Sequence, residues 1–151
     1  TVANSGTCYD LTLSDQVKDV NGNVILDNHA KVRNKVNIAN STWKAVHNGM
    51  YRVVNGSRSS IGSMFSGMKV KIAGKTGTAQ QSKLHANHAY FVSYAPYKNP
   101  EISVTCVIPN GFTSSNAAQT ARDVYKYYFS KNKKKVSGKI KMPESNTTHT
   151  D

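Results

Sequence analysis

Apolar and polar positions alternate along much of the first forty residues, as they do in half-buried β-strands. Valine and isoleucine side chains flank the polar segment 19–23, and this segment contains Asn21-Gly22. Because Asn-Gly is the strongest short signal for a hairpin turn, the pattern predicts a β-hairpin over 14–29. The segments on either side of it are less regular. Residues 1–9 are interpreted as the frayed end of a helix and its exit, and residues 30–39 as an extended connection.

The hydrophobic spacing then changes to that of a helix. Asn40 or Ser41 offers an N-cap and Asn55-Gly56 offers a stop, so a helix is predicted over 41–54. His47 lies on or beside its apolar face, where a single histidine is interpreted as a packed residue rather than a ligand or a base. The other positions that recur at helical spacing are Trp43, Val46, Met50, Val53 and Val54.

Three strands follow a Ser- and Gly-rich connector over 55–68. They are predicted over 69–80, 88–95 and 101–108, and a proline ends the second and the third. These two strands are mostly apolar on both faces, which indicates a sheet that is covered from both sides. The short links between the strands favour consecutive antiparallel pairing.

A second helix is predicted after the strands, with Ser114 or Ser115 as its cap. It would cover one face of the antiparallel sheet, so the fold class is α+β, with an N-terminal hairpin and one further helix. The basic, polar segment 131–151 has little apolar content and is expected to be a disordered tail, which leaves 1–130 as the folded part. The positions at helical spacing in the second helix are Ala117, Ala121, Val124, Tyr125 and Tyr128.

The formal net charge of +12 raises the question of a nucleic-acid partner. Six of the twenty lysines and arginines lie in 131–151, and the others are scattered without an aromatic-and-basic stacking pattern, so we expect no nucleic-acid binding. Cys8 and Cys106 are not at metal-ligand spacing, and no metal or cofactor is expected. Cys106 is expected to pack as a small hydrophobic residue, while a disulfide with Cys8 stays open for a secreted protein.

The candidate chemistry lies in the strand predicted over 69–80. Lys75, Thr76, Gly77 and Thr78 combine one ammonium group with two hydroxyl groups and one residue without a side chain. Gly77 allows a ligand to approach the backbone closely, and the N–H groups of an edge strand stay available to that ligand. The charge and the donors together predict a strand that recognises an anionic group.

Lys75-Thr76-Gly77 resembles the third signature of the serine penicillin-recognising enzymes, which also carry Ser-x-x-Lys and Ser-x-Asn. Further segments occur in the family's order on both sides of it. The whole set, which covers about residues 1–130, resembles the C-terminal part of a class B penicillin-binding protein transpeptidase domain. The segments are Gly49-Met50, Val53-Val54-Asn55, 73–80, 88–96 and Pro100-Glu101-Ile102.

This resemblance implies a role for each residue of the motif. Lys75 would contact the Ser-x-Asn motif and keep the surroundings of the nucleophile electropositive. The Thr76 and Thr78 hydroxyls would hold the carboxylate of a terminal D-Ala or of a β-lactam. The backbone N–H of Thr78 would be one of two oxyanion-hole donors. Gly77 would let the substrate lie antiparallel along the strand.

The resemblance also places a nucleophilic Ser-x-x-Lys far upstream of Lys75, with Ser-x-Asn between them, and this chain is interpreted as lacking both. The strings that match by letter are taken as coincidences, and the chain alone is expected to be inactive. Its expected partner is the N-terminal half of the transpeptidase domain. The matching strings begin at Ser41, Ser66 and Ser130 for Ser-x-x-Lys and at Ser114 for Ser-x-Asn.

The implied function is substrate recognition in a peptidoglycan D,D-transpeptidase, which cross-links stem peptides through an acyl-enzyme. Stem peptides ending in D-Ala-D-Ala and β-lactam antibiotics would be its ligands. The parent protein would act at the extracytoplasmic face of the bacterial cytoplasmic membrane, with an anchor outside this chain. The alternative is a non-catalytic module that binds or senses β-lactams or stem peptides without turnover.

Overall fold

The computed structural model describes residues 1–81 and 83–130, so the tail predicted over 131–151 lies outside the described residues. Three strands form an antiparallel sheet in the order β5-β6-β7, while β1 pairs with β4 and β2 with β3. The α+β class, the consecutive pairing and both helices are confirmed. The elements are β1 (Thr7–Tyr9), β2 (Gln16–Lys18), β3 (Val24–Asp27), β4 (Val32–Lys35), α1 (Asn40–Asn55), a 3-10 helix (Gly62–Phe65), β5 (Ala73–Ala79), β6 (His88–Ala95), β7 (Ile102–Ile108) and α2 (Ser114–Tyr128).

The predicted hairpin is confirmed as the β2–β3 pair, and the Asp19 carboxylate holds its turn. This carboxylate accepts hydrogen bonds of 2.8 Å from the backbone N–H groups of Asn21 and Asn23 and from the Asn23 side-chain amide. The side-chain bond from Asn23, followed by the backbone bonds, lowers the pKa of Asp19. The turn is therefore fixed by local polar contacts that the Asn-Gly signal anticipates.

One expectation for the N-terminal segments is wrong and one is incomplete. Residues 1–9 form a turn that leads into β1 rather than a helix exit. The segment 30–39 is extended as predicted, but it contains β4, which pairs antiparallel with β1. Gly6 makes this approach possible at φ 115°, since an ideal Cβ there would lie 2.5 Å from the carbonyl oxygen of Val36. The pairing joins segments far apart in the chain, and a local pattern does not reveal such a partner.

Strand β5 begins at Ala73, so it is shorter than the predicted span of 69–80. Its partner β6 runs only to Ala95, and the following Pro96 has no N–H with which to extend the ladder. The carbonyl oxygen of Lys71 instead accepts a hydrogen bond of 2.7 Å from the N–H of Tyr97. The alternation over 69–72 therefore reflects packing against the core rather than sheet pairing.

The prediction of a sheet covered on both faces is wrong for β7. Its apolar residues alternate with Ser103, Thr105 and Val107, which are exposed on the opposite face of the strand. A strand that alternates in this way buries one face only. Cys106 packs against the core on the covered face, as predicted, and both Cys106 and Cys8 are free cysteines.

The core lies between the sheet, α2, the end of α1 and the 3-10 helix. The segment 55–68, predicted as a plain connector, contributes Ile61 and Phe65 to this core, and the Phe65 ring packs 5.8 Å from that of Phe91. Its four apolar residues, Ile61, Met64, Phe65 and Met68, recur at helical spacing, a signal that the Ser- and Gly-rich composition outweighed in the prediction. The buried members are Val54, Ile61, Phe65, Ile72, Ala89, Phe91, Ala95, Ala117, Ala118, Ala121 and Tyr125.

Each helix cap lies one position before the first of the two residues predicted for it. Ala39 precedes α1 and makes no side-chain cap hydrogen bond. Thr113 precedes α2, and its Oγ1 accepts from the N–H of Ser115 at 3.4 Å. Each predicted cap lies in the first turn, because cap-forming residues are adjacent in the sequence at both places. In α2 the predicted core residue Val124 is exposed, while Ala118 takes part in the core.

His47 packs between aromatic rings, as expected for a histidine beside an apolar face. Its ring stacks on Trp43 at 6.0 Å and meets the edge of Tyr94 at 5.8 Å. Its Nε2 lies 2.8 Å from the carbonyl oxygen of Val2, so it also fastens the N-terminal turn to α1. In the part of the chain that the structure describes, neither helix is long and apolar enough to cross a membrane.

Candidate functional site

The four residues from Lys75 to Thr78 lie on β5, at one edge of the three-stranded sheet. Lys75 pairs with Val92 of β6, and the next three residues continue the antiparallel register. Because side chains alternate along a strand, Thr76 and Thr78 share one face and Lys75 lies on the other. The edge thus presents hydroxyl groups on one face and an ammonium group on the other.

The Lys75 ammonium group donates a hydrogen bond of 2.6 Å to the carbonyl oxygen of Thr76. In an antiparallel ladder the backbone groups of every second residue point the same way. The N–H of Thr78 therefore points to the same side of β5 as the Thr76 carbonyl that Lys75 contacts. Lys75 and Thr78 are exposed, whereas Thr76 and Gly77 are half-buried.

Gly74, just before the motif, is a position that the sequence reasoning missed. An ideal Cβ at Gly74 would lie 2.5 Å from Cζ of Phe91, because the Phe91 ring lies across β5 at this point. A glycine inside a strand is the signal that could have indicated this close contact. At Gly77 the nearest atom to an ideal Cβ is Cβ of Tyr90 at 3.3 Å, which is a tight but weaker restriction.

His88 joins the far end of β5 to the turn after β7. Its Nδ1 accepts a hydrogen bond of 2.9 Å from the N–H of Asn110, so the proton of the neutral ring lies on Nε2. That Nε2 is 2.9 Å from Oε1 of Gln81, to which it donates. His88 therefore ties the segment after β5 to the turn after β7.

A cleft of about 750 Å³ opens beside Thr76, between β5 and the end of α1. Sequence reasoning did not find it, because it forms only when α1 packs against β5. The side-chain amide of Asn55 fixes this packing, since its Nδ2 donates to the carbonyl oxygens of Tyr51 at 3.0 Å and Ile72 at 2.8 Å. The lining residues are Gly49, Arg52, Val53, Gly56, Ser57, Arg58, Ser59, Ser60 and Thr76.

Within the described residues, the strings that match Ser-x-x-Lys or Ser-x-Asn by letter begin at or beside the end of a helix. Ser41 is exposed on α1, and the N–H of Ser66 closes the 3-10 helix by donating to the carbonyl oxygen of Ser63. Asn116 of the Ser114 string donates to the carbonyl oxygen of Gly111 at 2.8 Å, at the start of α2. The string that begins at Ser130 continues into residues outside the described part of the chain.

The edge strand, its two neighbours and the C-terminal helix recur in known proteins. The penicillin-binding protein transpeptidase domain family matches residues 1–126. The chain belongs to this family. It is 40% identical over 103 residues to peptidoglycan D,D-transpeptidase MrdA of Haemophilus influenzae. The match covers 58% of this chain and 16% of that protein. The chain therefore spans about a sixth of the length of this relative.

Solved structures of penicillin-binding proteins share the fold. Penicillin-binding protein 2B of Streptococcus pneumoniae strain R6 is 29% identical, with a TM-score of 0.71 over 87% of this chain and 24% of that one. Penicillin-binding protein A of M. tuberculosis, in its imipenem acyl-enzyme complex, is 22% identical with a TM-score of 0.70 over 83% of this chain and 27% of that one. The predicted family and fold are confirmed, and the chain matches part of each relative.

Proposed function

We propose that this chain is the substrate-recognition part of a peptidoglycan D,D-transpeptidase. The parent enzyme would cross-link stem peptides through an acyl-enzyme, at the extracytoplasmic face of the cytoplasmic membrane. The observation that carries the proposal is the placement of Lys75-Thr76-Gly77-Thr78 on an edge strand with Lys75 and Thr78 exposed. An edge strand offers unpaired backbone groups along which a peptide can align.

The ligand is an acyl compound with a nearby carboxylate: a stem peptide ending in D-Ala-D-Ala, or a β-lactam. The Thr76 and Thr78 hydroxyls lie on one face of β5 and donate to that carboxylate. The N–H of Thr78 points to the side of β5 on which Lys75 contacts the Thr76 carbonyl oxygen, and there it donates to the oxyanion that forms when the carbonyl carbon is attacked. Penicillin-binding protein A, which shares this fold, is found as an imipenem acyl-enzyme, and this supports the β-lactam assignment.

Lys75 acts from the other face of β5. Its ammonium group donates a hydrogen bond to the Thr76 carbonyl oxygen. Because the Lys75 side chain is exposed, the ammonium group is free to exchange this partner for another. In the complete domain it contacts the Ser-x-Asn motif and stabilises negative charge near the nucleophile. A serine hydroxyl oxygen, supplied by the N-terminal half of the domain, attacks the carbonyl carbon, and the terminal D-Ala leaves as the amine after taking a proton.

Ligand-observed saturation-transfer NMR with diacetyl-Lys-D-Ala-D-Ala tests recognition by the chain as it stands. We expect binding that weakens about tenfold in Thr78→Val, because one hydrogen bond to a charged group is lost. Thr105→Val, the same change on the exposed face of β7, serves as the control and leaves binding unchanged. Equal binding by Thr78→Val and wild type would remove the support for a recognition role.

Covalent chemistry is tested with a fluorescent penicillin. We expect no label on this chain that survives denaturation, and a label on the other half when that half is supplied. A stable label on this chain would contradict the assignment of the nucleophile to the N-terminal half. Binding without any labelling in the presence of the other half would instead favour the non-catalytic binding module.

A further inference from the structure

We propose that the cleft beside Thr76 is an oxyanion-binding site in which Arg52 and Arg58 pair with the ligand's carboxylate. The inference rests on the proposed function for the identity of the ligand, because Thr76 belongs both to the recognition strand and to the cleft wall. It adds two binding residues that lie outside the Lys-Thr-Gly motif. These two arginines would make the site prefer a peptide with a charged C-terminal carboxylate over one with a neutral C-terminus.

The lining of the cleft is suited to an anion. Among the described residues, the charged side chains that line it are Arg52 and Arg58, both cationic, and no acidic side chain does so. The hydroxyl groups of Ser57, Ser60 and Thr76 line the same cleft, whereas the Ser59 hydroxyl already donates to the carbonyl oxygen of Val53. Guanidinium groups bind carboxylates and phosphates through two parallel N–H bonds, and hydroxyl groups donate to the oxygens that remain.

Within residues 1–81 and 83–130, neither guanidinium group is neutralised by an acidic side chain. Arg52 and Arg58 are exposed, and neither forms a salt bridge in this part of the chain. The acidic side chains with a basic neighbour there lie on other elements, where Asp123 pairs with Arg122 and Asp27 lies 3.6 Å from Nε2 of His29. An anion that enters the cleft therefore gains two cations without having to displace a carboxylate.

The walls of the cleft are held in place before any ligand binds. The N–H of Gly56 donates to the carbonyl oxygen of Arg52 at 2.9 Å, which turns the chain at the end of α1. Ser59 Oγ donates to the carbonyl oxygen of Val53 at 2.6 Å and accepts from the N–H of Ile61 at 3.3 Å. The segment that carries Arg58 is thus fastened to the helix that carries Arg52, so the backbone of the cleft needs little ordering on binding, while the two exposed arginine side chains lose rotamer freedom.

Charge preference is the property to measure. Saturation-transfer NMR compares diacetyl-Lys-D-Ala-D-Ala with its C-terminal carboxamide, on the full chain and on the double variant Arg52→Gln, Arg58→Gln. We expect the double variant to bind the carboxylate about tenfold more weakly and the carboxamide equally well. Arg33→Gln, an exposed arginine of β4, is the matched control and leaves both affinities unchanged.

The outcomes separate this inference from the function on which it rests. Unchanged carboxylate affinity in the double variant, with a loss in Thr78→Val, overturns the arginine cleft and leaves the recognition strand in place. If the wild-type chain binds neither peptide, the recognition role fails. A titration with inorganic phosphate then tests whether the cleft binds an oxyanion. Phosphate binding that the double variant loses supports an oxyanion site for free phosphate, and its absence from the wild type overturns the site.

Discussion

The phenolic hydroxyl of Tyr125 donates a hydrogen bond of 2.8 Å to Ser93 Oγ, which in turn donates to the carbonyl oxygen of Val104 at 3.1 Å. Tyr125 is 0% exposed and Ser93 is 5% exposed, so water does not replace these partners. The two bonds run from α2 through β6 to β7. They therefore fasten the C-terminal helix to the sheet whose edge strand is β5.

Replacing Tyr125 with phenylalanine should destabilise the fold by about 1–2 kcal/mol, since Ser93 loses a buried partner. Urea denaturation followed by circular dichroism measures the change in free energy of unfolding. Tyr127→Phe, at an exposed position of the same helix, should change it by less than about 0.5 kcal/mol. Equal stability of the two variants would show that the Tyr125 bond contributes nothing measurable.

Stability should also fall at alkaline pH. Burial raises the pKa of Tyr125 to about 12, above its ordinary value of 10.0. The folded protein then keeps the proton to higher pH than the unfolded chain does, so stability is fully present below about pH 10 and is lost towards pH 12. Denaturation midpoints over this range should fall less steeply in Tyr125→Phe. Burial raises the pKa of Tyr94 in the same direction, so part of the slope remains.

The contact between Gly74 and Phe91 predicts that Gly74→Ala is costly. An alanine Cβ would meet Cζ of Phe91 at 2.5 Å and Cβ of Ser93 at 3.1 Å, so the ring or β5 must shift. Overpacking of this kind costs about 1–3 kcal/mol. Gly49→Ala is the contrasting change, because no atom lies within 4 Å of an ideal Cβ there. Since alanine favours a helix more than glycine does, this variant should be more stable towards unfolding by about 0.5–1 kcal/mol. Thermal melts that rank these variants in the opposite order would refute the contact.

The exposed face of β6 and β7 should promote self-association. Val92 and Val107 are 40% and 50% exposed on the same face of adjacent strands, and β7 forms the other edge of the sheet. We expect size-exclusion chromatography to show concentration-dependent oligomers of the wild-type chain. Val107→Lys should shift them towards the monomer, whereas Val20→Lys, at the fully exposed hairpin turn, should not. A monomeric wild-type chain at high concentration would count against this expectation.

Local signals account for the parts of the fold that the sequence predicted well. Helical spacing gave α1 and α2, Asn21-Gly22 gave the β2–β3 turn, and proline marked the end of β6. The errors arise where a distant partner decides the structure. Strand β1 depends on β4, the start of β5 depends on where β6 ends, and Phe65 is buried in a core to which the distant Phe91 also belongs.

The same contrast between local signals and distant partners applies to the candidate site. The motif from Lys75 to Thr78 could be read from residue types, and its edge position agrees with that reading, while the role of each side chain stays a prediction. Arg52 and Arg58 could not be linked to Thr76 from the sequence. They line the same cleft only because the end of α1 and the following turn pack against β5.

The Asn55 side-chain amide has a consequence for motion at this cleft. One nitrogen donates both to Tyr51 within α1 and to Ile72, the residue before β5, so helix and strand are expected to move as a single rigid body. Movement of α1 away from β5 would break the bond to Ile72. The exposed side chains of Arg52 and Arg58 can instead adjust by rotamer changes, which take picoseconds to nanoseconds. If the cleft binds an anion as proposed, we expect its entry to need no slow conformational step.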